Sequence, residues 1–105
     1  MSSEPAPGAD STAISDTFDR IEQLLAFPAD FPLKVMGARV DGFAQSIAEL
    51  ACHHVPGFDP ATIELRTSSK GTYLSLTLPL RVSSRAQLEA LYRAVAGHPG
   101  VKVVL

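Results

Sequence analysis

TIELRTSSKGTYLSLTLPLRV, from Thr62 to Val82, reads as two strands joined by Ser68-Ser69-Lys70-Gly71, and its second strand carries the longest apolar alternation in the chain. Pairing Thr67 with Thr72 across that loop sets Leu65 against Leu74 and Ile63 against Leu76. Glu64 then meets Ser75 and Arg66 meets Tyr73 on the other face, so one register satisfies both faces. Gly71 supplies the positive φ such a loop uses. Leu74, Leu76, Leu78, Leu80 and Val82 continue the period-2 pattern, while Tyr73, Ser75, Thr77 and Arg81 point away. A one-sided sheet follows. Its apolar face needs a cover, and each leucine buried there contributes about 1.5–3 kcal/mol.

Upstream, Phe31, Leu33 and Val35 alternate with Lys34 and Met36 in a first strand that ends at Gly37. Asp41 is placed to cap a helix running to about His54, with Phe43, Ile47, Leu50, Ala51 and His54 on its apolar side. Pro56-Gly57-Phe58-Asp59-Pro60 marks a turn before the hairpin. Downstream, Ser84 and Gln87 form a capping box for a third helix. Leu88, Leu91, Tyr92 and Val95 make its apolar face, and Arg85, Glu89 and Arg93 at i, i+4 spacing are expected toward solvent. Gly97 and Pro99 stop it, and Val101, Val103 and Leu105 share one side of a last strand.

At the N-terminus, Met1–Ala13 is rich in Ser, Pro, Ala and Gly and has too little apolar bulk to offset its ordering entropy. Ser15 is expected to cap a short helix with Phe18, Ile21, Leu24 and Leu25 as its stripe, closed by Pro28. The domain reading is residues 1–14 as a disordered tail, 15–27 as an N-terminal helix and 28–105 as one folded domain. The β-α-β-β-α-β order predicts an α+β, ferredoxin-like architecture: a four-stranded antiparallel sheet, two helices on one face, first and third strands central. Pro79 breaks the pattern of a central strand, so it is expected at a bulge or beyond its neighbour's end.

A chain of 105 residues with 46% hydrophobic content holds one modest core. Its net charge of −2 gives no basis for nucleic acid or an anionic membrane as main partner. One cysteine makes no internal disulfide, and no stretch has the length of a membrane span or the form of a signal peptide. The expected location is the cytoplasm.

Phe27-Pro28, Phe31, Lys34-Val35-Met36-Gly37, His54 with Pro56-Gly57, Ser68-Ser69-Lys70-Gly71, Tyr73, Ser75 and Val104-Leu105 together resemble the YbeD-like family of small uncharacterised bacterial proteins. The resemblance covers roughly Leu24–Leu105. It implies a ferredoxin-like fold similar to the ACT regulatory domains, which bind amino acids beside metabolic enzymes. It implies no established activity, and the tail and Pro79 depart from its pattern.

Two loops are candidate ligand sites. Ser68, Ser69, Lys70 and Gly71 offer hydroxyls, an ammonium and amides to a carboxylate or phosphate, although the same residues also suit a plain turn. Gly37, Arg39, Asp41 and Gly42 form the turn from first strand to first core helix, where ACT domains tend to seat ligands and helix amides attract anions. A glycine-assisted turn with a solvated arginine is the alternative. Lys34, Met36, Arg66, Tyr73 and Lys102 are a candidate interaction surface on the open sheet face. RNA would stack there on Tyr73, its one aromatic; an Arg66–Tyr73 cross-strand pair explains the same residues.

Cys52-His53-His54 is no metal motif, because successive helical residues diverge by about 100° and no second cluster completes a ligand set. No nucleophile, base and orienting acid fall in a recognisable arrangement. The expectation is a non-enzymatic regulatory or adaptor module without cofactor, binding a small anionic metabolite or a partner protein, with a homodimer through the sheet as one form. A pure protein-interaction module and an RNA-binding domain are the rivals.

Overall fold

The computed structural model describes residues 11–104. In chain order they form helix α1 (Ser11–Leu24), strand β1 (Ala29–Ala38), helix α2 (Phe43–His54), a 3-10 turn at Pro60–Thr62, strands β2 (Glu64–Thr67) and β3 (Tyr73–Val82), helix α3 (Arg85–Ala96) and strand β4 (Val101–Val104). The strands make one antiparallel sheet in the order β2-β3-β1-β4. First and third strands are central, as the ferredoxin-like reading expects. Leu74, Leu76, Leu78, Leu80 and Val82 of β3 and Leu33 and Val35 of β1 pack into one apolar cluster with Phe43, Ile47 and Ala51 of α2 and Leu88, Leu91 and Val95 of α3. Alternate residues of both strands face outward.

The hairpin register differs from the expected one by two residues: Thr67 pairs with Leu74, not Thr72, and Leu65 with Leu76. The cause is Ser68. Its N–H donates to Tyr73 O at 2.9 Å and its Oγ accepts from Tyr73 N at 3.1 Å, so the ladder gains a rung and the loop becomes Ser69–Thr72. Parity is unchanged, and Gly71 takes φ +73°. Leu65 does not reach the core, being 52% exposed; all four residues of β2 are exposed, as on an edge strand beyond the helix layer.

Pro79 lies beyond the end of β2, whose last rung is Glu64 with Thr77. On its other side it faces Pro32 of β1. Arg39 N donates to Thr72 O at 3.2 Å, which fixes the alternation of the β1–β3 ladder and makes Pro32–Pro79 a non-hydrogen-bonded pair. Both rings therefore sit where the ladder needs no N–H from them.

At β4 the pairing shifts between Met36 and Gly37, with Val103 opposite Met36 and Val101 opposite Gly37. Lys102 is the extra residue. This bulge breaks the expected alternation, so Val101 and Val104 pack on the core while Val103 is exposed. Leu105 lies outside the described residues. Gly37 admits the close approach: a Cβ there would lie 2.4 Å from Gly100 O and 2.3 Å from Cζ of Phe43.

Asp41 does not cap α2. Gly42 holds that position at φ +83° with no side-chain cap bond, because the β1–α2 turn needs a left-handed residue there. Ser84 caps α3 as expected, its Oγ accepting from Gln87 N at 3.2 Å, while the return bond reaches one residue further back: Gln87 Oε1 accepts from Ser83 N at 2.6 Å rather than from Ser84 N. Gln87 Nε2 also donates to His54 O at 3.1 Å, tying α3 to the end of α2.

Helix α1 starts at Ser11 rather than Ser15, so Ser11–Ile14 belong to the helix and not to the expected tail. Met1–Asp10 lie outside the described residues. The inward stripe is Ile14, Phe18 and Ile21, and Leu24 is 83% exposed; Ile14 at i−4 from Phe18 extends the stripe backward. Phe18 meets Tyr92 edge to face at 5.4 Å. The Arg85-Glu89-Arg93 ladder, expected toward solvent, faces α1. Arg85 bonds Asp19, Glu22 at 3.1 Å, Glu89 at 3.2 Å and Ser15 O at 3.3 Å.

Candidate functional site

The two candidate loops come together at one corner. Arg39 follows the end of β1 and pairs through its backbone with Thr72, which carries its side chain to the hairpin, where Nη1 donates to Gly71 O at 3.3 Å. Arg39, Asp41 and Gly42, and Ser69 and Lys70 at the hairpin tip, are exposed. Arg39 and Lys70 are thus the cations of a corner that also holds the start of α2. Gly37 and Ser68 have other duties: the former is buried under Phe43, and the latter closes the hairpin.

The open sheet face carries the candidate interaction residues. Met36 and Val103 stand opposite each other and are 40% and 43% exposed. A cleft of about 120 Å³ lined by Met36, Arg66, Thr67, Ser68, Tyr73, Leu74 and Ser75 adjoins one of about 60 Å³ lined by Lys34, Val35, Met36, Ser75 and Val103. Sharing Met36 and Ser75, they form one shallow groove across the sheet. Arg66 pairs with Ser75 rather than Tyr73. Lys102 is exposed at the bulge and lines neither cleft.

Two features were outside the sequence reading. Val103 enters the groove only because of the bulge, which no local motif marks. At the far end of β3 an open cleft of about 580 Å³ is lined by Val55–Asp59, Thr62, Pro79, Arg81 and Ser83. The turn-forming Pro56–Pro60 run was its one sequence signal.

Among the described residues no three of His, Cys, Asp and Glu stand together as a metal site. His53 and His54 meet edge to face at 5.0 Å, and Cys52 Sγ donates to Phe58 O at 3.6 Å. No helix among these residues is long and apolar enough to cross a membrane.

Sheet order and one-sided helix layer define the class: a ferredoxin-like α+β domain with an added N-terminal helix. Within that class, the chain belongs to the family described as "Protein of unknown function (DUF493)", whose model matches residues 22–105. It is 51% identical over 84 residues to a UPF0250 protein of Bordetella pertussis, covering 80% of this chain and 92% of that one. A UPF0250 protein of Leptothrix cholodnii is 49% identical over 86 residues, 82% of this chain and 94% of that one. One from Nitrosomonas europaea is 44% identical over 84 residues, 80% of this chain and 97% of that one. These small bacterial proteins agree with the resemblance seen in the sequence.

Proposed function

We propose that this protein is a non-enzymatic, ACT-like regulatory module of the cytoplasm that binds a small anionic metabolite, such as an amino acid, at the corner formed by Arg39 and the hairpin. The observation that carries this reading is the 3.3 Å bond from Arg39 to Gly71 O, which joins two loops distant in sequence. With Lys70 it provides two cations beside exposed backbone, a fit for a carboxylate.

A thermal-shift screen against amino acids, nucleotides and small carboxylates tests it, run on the wild type and on Arg39→Ala/Lys70→Ala. The expected hit adds about 2.7 kcal/mol of stability at 100 times its Kd and disappears in the double variant. No hit, or one the double variant keeps, overturns the reading.

A second reading, an adaptor that docks a partner protein or a second copy on its sheet, is favoured by the exposed Met36–Val103 pair. Met36→Lys should then abolish association in sedimentation. RNA on the same face would instead bind with strong salt dependence and lose affinity in Tyr73→Ala.

A further inference from the structure

Helix α1 lies mostly outside the region matched by the family model. The family model begins at residue 22, within its last turn. The Nitrosomonas relative has about three residues outside its 84 matched ones, whereas α1 has 14. The side chains of α3 that bond or stack on α1, Arg85, Tyr92 and Arg93, lie in the matched part.

That receiving face is organised from within α3. Glu89 holds both arginines, Arg85 Nε at 3.2 Å and Arg93 Nη2 at 2.6 Å, and so fixes two guanidiniums on the helix that carries Tyr92. Helix α1 answers with matching chemistry. Phe18 sits against Tyr92 and is 1% exposed, Ile21 packs beside it, and the next residue after each, Asp19 and Glu22, bonds Arg85. An aromatic and an aliphatic residue three positions apart, each followed by a carboxylate, meet an arginine-flanked aromatic face. This is helix-in-groove recognition with charge complementarity.

We infer that the Arg85–Tyr92 face of α3 is a docking site for an acidic amphipathic helix of a partner protein, and that α1 occupies it in cis as a built-in competitor. Binding of the partner requires α1 to leave, so its apparent affinity is the intrinsic one multiplied by the fraction of time α1 is undocked. This site is separate from the Arg39 corner and stands or falls independently of it.

The test uses the full-length chain and a fluorescent peptide of residues 11–24. In Asp19→Arg/Glu22→Arg, repulsion from Arg85 displaces α1, read as fast amide exchange in residues 14–24 with the sheet amides still protected. The peptide should bind this variant at least tenfold more tightly than the wild type, with affinity falling as salt rises. Adding Arg85→Glu should reseat the reversed α1 and remove peptide binding. A peptide that binds neither protein, or both equally, overturns the inference. So does an α1 that stays protected in the reversed variant, or a wild-type dimer that exchanges α1 between copies.

Discussion

Gly37 and Phe43 are in contact across the β1–α2 turn so closely that a methyl group on Gly37 would fall 2.3 Å from the ring's Cζ, with Gly100 O at 2.4 Å on its other side. One obstacle is backbone and the other is the side chain that plugs the core beneath α2. Gly37→Ala should therefore destabilise the fold by about 1–3 kcal/mol, the range for overpacking, read as a lower urea midpoint. At Gly100 the nearest approach to Phe43 is 3.0 Å, so Gly100→Ala should cost less.

Pro79 should be replaceable. Its missing N–H faces past the end of β2 and its partner Pro32 needs no bond from it. Pro79→Ala should lose only the proline's restriction of the unfolded chain, about 0.4–1 kcal/mol. A loss of several kcal/mol would show that the ring itself supports the sheet.

Phe18→Ala and Leu24→Ala should separate sharply. Leu24 is solvent-exposed and its truncation should stay within about 0.5 kcal/mol. Phe18 is a buried anchor, and truncating it should release α1, seen as loss of amide protection confined to that helix while β1 and β3 keep theirs.

Acid should weaken the α3 clamp through Glu89. Its pKa lies below the ordinary glutamate value, chiefly because Arg93 bonds the carboxylate, with Arg85 adding to this and desolvation opposing it. A depressed folded-state pKa gives stability that is complete above the unfolded value of about 4.3 and is lost as pH falls through the folded one. Thermal denaturation across that window should therefore show a component absent from Glu89→Gln.

Much of this fold is legible in local pattern. The period-2 run Leu74–Val82, the Ser84–Gln87 cap and the element order all specify themselves within a few residues. What escapes is set at a distance. The hairpin gains a rung because the side chain of Ser68 satisfies Tyr73, the bulge at Lys102 depends on β1, and Arg85-Glu89-Arg93 has the spacing of a solvated ladder until α1 arrives beside it. The same holds for the candidate site. Each loop can be read alone, whereas their meeting through Arg39 depends on the antiparallel pairing of β1 with β3.

The facing prolines have a consequence for shape. Neither outer strand pairs with the segment that holds them: β2 ends at Thr77 and the described part of β4 at Val35, while β1 and β3 continue together to Ala29 and Val82. The sheet is a wedge, four strands wide at the Arg39 end and two at the other. A two-stranded ribbon twists more freely than a broad sheet, so torsion in this molecule concentrates at the narrow tip and leaves the broad end as the stiffer platform.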